Sequence, residues 1–247
     1  MTMVLSRAHR ALLSGAAALA LLAAVAPPVL AARRAPSSRP EDPRLTAVLQ
    51  RLDRAQGRLE AFTADLVETR TLSLLSESQT LEGRLTFQKP GRIRWEYRSP
   101  ERKIYLLDGG QLTGWLPDQR RLEKVDLRRH EKRLRRLVGM GQDAAALRKE
   151  FKVTLLDGGE GDHPAHLELV PRSRRVRRHV ARIELWLAPG TGLPDRFLYE
   201  TADGDQVLVR LENMRINPEL PAGAFRIDVP EGVEIVTGKT SFGVVAR

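Results

Sequence analysis

Residues 81–98 read LEGRLTFQKPGRIRWEYR, and their alternation decides the fold. Leu81, Gly83, Leu85 and Phe87 fall on one side of an extended chain, and Glu82, Arg84, Thr86 and Gln88 fall on the other. Pro90-Gly91 turns the chain. Ile93, Trp95 and Tyr97 then alternate with Arg92, Arg94, Glu96 and Arg98. A period of two, with one apolar and one charged face, belongs to an antiparallel sheet that packs on one side and meets water on the other.

The same period recurs further along. Ile183, Leu185 and Leu187 alternate with Arg182, Glu184 and Trp186, and Val207, Val209 and Leu211 alternate with Leu208, Arg210 and Glu212. Asp108-Gly109-Gly110, Pro189-Gly190-Thr191-Gly192 and Asp203-Gly204 supply turns between strands. Two stretches have a helical period instead. Leu45, Val48, Leu49, Leu52 and Leu59 form one apolar stripe, with Asp42 as cap and Pro43 in the first turn. Residues 126–151 read as helix, break, helix: Leu127, Leu134, Leu137 and Val138 make a stripe among basic residues, Gly139 and Gly141 interrupt it, and Asp143 caps a second short helix. The chain is therefore α+β: a helix, strands, a helical insertion and more strands. The insertion has little apolar surface to offer so many strands, which predicts a loose cover over the apolar face.

Arg7 and Arg10 precede an uncharged Ala- and Leu-rich run from Ala11 to Ala26, and Val29-Leu30-Ala31 presents small residues before a cut. This reads as a secretory signal over residues 1–31. A Pro- and Ser-rich linker follows at 32–44, then one domain at 45–236 and a tail at 237–247. The 247 residues include no cysteine, which excludes disulfides, thiol catalysis and N-terminal lipid attachment. The expectation is a soluble monomer of the periplasm.

No nucleophile elbow, phosphate loop or zinc-protease helix occurs, so the reading is a binding protein and not an enzyme. Asp162-His163-Pro164-Ala165-His166 holds metal-type residues, but they sit in a turn with no third ligand. The formal net charge of +10 comes partly from two clusters, residues 128–136 and 172–182. Export and the lack of interleaved aromatics argue against nucleic acid. A basic face that docks on an acidic partner remains, with Arg129, Arg133 and Arg136 as its candidates.

The run Gly83-x-Leu85-x-Phe87-x-Lys89-Pro90-Gly91-Arg92-Ile93-Arg94-Trp95-Glu96-Tyr97, with Pro100, Asp108-Gly109, Leu112, Trp115 and Pro117 after it, resembles the periplasmic outer-membrane lipoprotein carriers, the LolA-like family. Phe62-x-Ala64, Thr191-Gly192-Leu193-Pro194 and Phe225-x-x-x-x-Pro230-x-Gly232-Val233 extend the resemblance over most of the chain. The resemblance implies an incomplete antiparallel β-barrel with helices as a lid over an apolar cavity. It also implies acylated lipoprotein as cargo, an inner-membrane lipoprotein exporter as donor and an outer-membrane lipoprotein receptor as acceptor. No cofactor is expected. By parity the cavity lining would be Leu85, Phe87, Ile93, Trp95, Tyr97, Ile183, Leu185, Val207, Val209 and Leu211. Lys89 stands where the family has a basic residue before proline, which implies a latch on the backbone of the lid. Alternative readings keep the shell and change its cargo to another envelope lipid or glycolipid, or make it a lipid- or lipoprotein-sensing regulatory domain. A lipid hydrolase lacks its nucleophile.

Overall fold

The computed structural model describes residues 42–73, 77–128, 144–238 and 240–241. Its centre is one twelve-stranded, curved and unclosed sheet. Helix α1 (Pro43–Arg58) comes first, with Asp42 accepting from the Arg44 amide at 2.9 Å as its cap. Its first two residues fall within the stretch read as linker, with Pro43 in the first turn. Six strands then run as a meander: β1 (Ala61–Leu72), β2 (Glu77–Gln88), β3 (Arg92–Ser99), β4 (Lys103–Asp108), β5 (Gln111–Leu116) and β6 (Arg121–Asp126). Of the insertion, the structure describes its start and its last turns, α2 (Ala144–Glu150). The first amide of α2 donates to Asp53 of α1 at 2.6 Å, so the two helices are pinned to each other.

A second meander follows: β7 (Phe151–Asp157), β8 (Ala165–Pro171), β9 (Val180–Leu187), β10 (Pro194–Thr201) and β11 (Gln206–Ile216). Between β8 and β9, which pair antiparallel, the chain makes a single helical turn, α3 (Arg174–Arg177), at the basic cluster. Pairing of β1 with β11 joins the two meanders, and a short last strand, β12 (Glu234–Thr237), completes a sheet that runs β12-β6-β5-β4-β3-β2-β1-β11-β10-β9-β8-β7. All neighbours are antiparallel except β12, which adds parallel to β6. A parallel neighbour cannot follow through a hairpin. Here the chain from 217 to 233 crosses the outer face: the Arg92 guanidinium lies over the Phe225 ring, and Arg94 donates to the Arg226 carbonyl at 2.7 Å. Thr86, opposite Arg94, is buried for this reason despite lying on the charged face.

One residue ties the start of the fold to its end. The Asn217 side chain accepts from the Glu60 and Ala61 amides and donates to the Arg58 carbonyl. The C-terminus of α1, the start of β1 and the end of β11 thereby share one clasp. Past residue 236, Thr237 pairs with Lys124, and the Ser241 hydroxyl reaches Glu123 and Tyr105.

Candidate functional site: the inner face of the sheet

Cross-strand partners in a sheet point to the same side, so the register reads the inner face directly. One row runs Val125, Leu112, Leu107, Ile93, Phe87 and Phe62 across six strands. The next carries Tyr105, Trp95, Leu85 and Ala64, and a third carries Tyr97, Gly83, Leu66 and Leu211. These side chains form one buried cluster with Leu59 at the end of α1, and Ala55 packs against it. Phe62 and Phe87 stack with centroids 5.5 Å apart.

The ten parity candidates all belong to this face, but they divide among three clusters. Leu85, Phe87, Ile93, Trp95, Tyr97 and Leu211 share the large one, with Val209 on its flank. Leu185 belongs to a second, with Val48, Leu49 and Leu52 of α1 and Ala144 and Leu147 of α2. Ile183 touches that cluster and a third around Tyr199, where Val207 also lies. Phe197 packs against the first two and joins them. Most of the insertion expected to cover this face lies outside the described residues; on the face itself, Ile93 is 0% exposed and Leu85 3%.

Lys89 follows β2 and reaches α1. Its ammonium donates to the Gln56 carbonyl at 3.1 Å and lies 3.6 Å from the exposed Glu60 carboxylate. Gln56 is in the last turn of α1, where the helix macrodipole presents its negative end. Arg129, Arg133 and Arg136 lie outside the described residues.

Sequence reasoning missed the polar groups on this face. Glu68 and Arg70 continue the inward parity of Phe62, Ala64 and Leu66. The Glu68 carboxylate is buried, accepting from Arg70 Nε at 2.6 Å and from the Tyr97 hydroxyl at 2.8 Å. Burial, reinforced by the Glu68 charge, raises the Tyr97 phenol well above its usual value. Glu123 is the second buried acid. It accepts from the Ser241 amide and hydroxyl at 2.6 and 2.9 Å and pairs with Arg121 at 2.9 Å. The Ser241 hydroxyl also shares a 2.8 Å hydrogen bond with Tyr105, whose phenol burial pushes up to about 12. The available signal was two charges in an inward register.

On the outer side, His166 meets Glu184 at 2.8 Å and stacks on Trp186. Among the described residues, no group of three or more His, Cys, Asp or Glu could hold a metal ion. No helix among them is long and apolar enough to cross a membrane.

A curved, open antiparallel shell with an apolar inner face and a helix laid against it defines a carrier-type binding fold. Residues 58–228 match the family model described as outer membrane lipoprotein carrier protein LolA, and the chain belongs to that family, a carrier family rather than an enzyme family. The outer-membrane lipoprotein carrier protein of Cupriavidus pinatubonensis is 29% identical over 235 residues, covering 92% of this chain and 98% of its own. That of Bordetella avium is 29% identical over 208 residues, covering 78% and 91%. A conserved protein from Thermus thermophilus shares the fold at a TM-score of 0.50 and 14% identity, over 78% of this chain and 98% of that one.

Proposed function

We propose that this protein is a periplasmic carrier that takes the acyl chains of lipoproteins against the inner face of its sheet and moves them from the inner to the outer membrane. The observation that carries this reading is the register-aligned apolar row from Val125 to Phe62, with α1 leaning on it. Two relatives named as outer-membrane lipoprotein carriers, matched over most of their length, support it. From Phe62 to Arg70, β1 covers about 26 Å at ~3.3 Å per residue, longer than the ~15 Å depth of one bilayer leaflet. Each buried methylene contributes about 0.8 kcal/mol, so one long acyl chain is worth on the order of 10 kcal/mol in gross terms. Cargo of that kind cannot cross water unshielded.

Loading requires α1 and the insertion to move as a lid, opening a cavity between them and the sheet. Lys89 is the latch that recloses it. Arg129, Arg133 and Arg136 are the docking residues for the inner-membrane exporter or the outer-membrane receptor. Neither cofactor nor nucleotide is needed.

The test is mass spectrometry of material co-purifying with the periplasmic protein, together with photo-crosslinking. A crosslinker at Trp95 or Val209 should capture acylated lipoprotein, and one at Arg94 or Arg210 on the outer side should capture much less. Equal capture from both sides, or no acylated species at all, would refute the reading.

A further inference from the structure

An ion pair has no structural need to be on this face. A buried pair contributes less to a sheet than apolar side chains of the same volume, because both charges must leave water. Yet Glu68 and Arg70 sit side by side in the inward register, with side chains 5% and 15% exposed. Glu68 is flanked by apolar residues, Leu81 on one strand and Val209 on the other, whereas Arg70 is opposite Val207 and Gln79. The pair therefore lies at a boundary between hydrocarbon-like surface and hydrogen-bonding groups.

The hydrogen bonds in the cluster leave a definite remainder. Both Glu68 oxygens are engaged, Oε1 by Arg70 Nε and Oε2 by the Tyr97 hydroxyl. The raised Tyr97 phenol stays protonated, so it remains a donor to Glu68 and offers no charge of its own. Arg70 uses only Nε here, and its two Nη groups have no hydrogen-bond partner among the described residues. The spare capacity is thus a fork of N–H donors whose positive charge Glu68 has already neutralised. Such a fork suits an uncharged acceptor oxygen. An anion brought to it would also lie beside the Glu68 carboxylate and be repelled.

We propose that Arg70, held and neutralised by Glu68, is the binding point for the ester carbonyl oxygens of an acylated glyceryl group, and that it selects ester-linked neutral lipid over free fatty acid. The inference rests on the carrier reading and deepens it: the acyl chains would lie along the apolar rows toward Phe62 and Phe87, with their ester ends at Arg70.

The experiment uses the full mature chain and three probes. These are a peptide carrying an S-dipalmitoylglyceryl cysteine, the same peptide with ether-linked hexadecyl chains, and palmitate. The ester and ether peptides differ in their carbonyls alone. The parent protein should bind the ester peptide roughly tenfold more tightly, the worth of one hydrogen bond from a charged donor. Arg70→Met keeps the unbranched stem of the side chain without its guanidinium and should bring that ratio close to one. Glu68→Gln keeps the shape and leaves the guanidinium uncompensated, so palmitate should gain more than about tenfold relative to the ester peptide. The ratio in the parent protein needs no variant and decides by itself if a variant fails to fold. Equal binding of ester and ether peptides would overturn the inference and leave the carrier reading standing, as would a ratio unchanged in Arg70→Met. Failure of the parent to bind either peptide would overturn both.

Discussion

Replacing Lys89 with leucine removes one polar contact between α1 and the end of β2. The ammonium donates to the Gln56 carbonyl at 3.1 Å, and a hydrogen bond with one charged partner nets about 1.5–3 kcal/mol. The lysine side chain is 30% exposed, which lowers that figure, and the pair with Glu60, itself 72% exposed, adds little. Placement at the negative end of α1 contributes a further ~0.3–1 kcal/mol. The total is about 1–2 kcal/mol, which, on the proposed lid movement, is roughly a 5- to 30-fold shift between closed and open shell. Lys89→Leu should therefore fold, hold acylated cargo about tenfold more tightly and hand it on slowly, because the closed state no longer competes with cargo. Lys89→Arg keeps a donor at the same place and should behave like the parent. The assay follows labelled lipoprotein from carrier to outer-membrane vesicles. Transfer from Lys89→Leu at the parental rate would refute the latch and leave Lys89 as a helix-capping cation.

Four further outcomes follow from the tyrosines and one glycine. The chain has three tyrosines, Tyr97, Tyr105 and Tyr199, and burial raises all of them, the latter two to about 12. Unfolded tyrosines ionise near pH 10, so stability is full below that and falls as the pH rises from 10 through 12. The native protein should accordingly display no tyrosinate absorbance near pH 10, and half-ionised tyrosine there would contradict the burial argument. Tyr97→Phe strips Glu68 of a donor and should cost about 1–3 kcal/mol in denaturant unfolding. Tyr199→Phe removes a buried hydroxyl with no hydrogen-bond partner among the described residues and should be neutral or stabilising. A Cβ on Gly83 would collide with the Glu96 carbonyl oxygen, so Gly83→Ala should cost more than about 3 kcal/mol; a small shift in melting temperature would show that β2 and β3 can part there cheaply.

Much of the shell is legible in the sequence because its strands obey parity. The alternation in residues 81–98 gives the faces of β2 and β3 correctly, and Asp42 and Pro43 mark the start of α1. The joins are not legible. Pairing of β1 with β11 brings Phe62 to Ile216, and nothing local at either residue announces it. The crossing of the outer face by residues 217–233 is likewise invisible until Phe225 is found under Arg92, after which the burial of Thr86 makes sense. At the candidate site, charge misleads. Glu68 and Arg70 look like a solvated strand end because charged residues are rarely buried unless paired. Here each is the other's partner, so parity was the better guide.

The packing of the inner face bears on why small polar contacts could govern a carrier whose cargo is so apolar. Ile93, Phe87, Leu85 and Leu66 are already buried against one another in the described structure. Cargo entering this face would exchange one set of apolar contacts for another, and the sheet itself would gain little transfer free energy from water. Only the surface of the cargo is newly shielded, and lifting α1, with Ala55 and Leu59, away from the sheet costs part of that gain. Binding is then the difference between two large and similar terms. Against such a difference, about 1–2 kcal/mol at Lys89 or one hydrogen bond at Arg70 changes occupancy by about an order of magnitude. A filled apolar face with a few polar contacts at its margins can therefore both accept an acyl chain and give it up, which a permanently open greasy cavity could not.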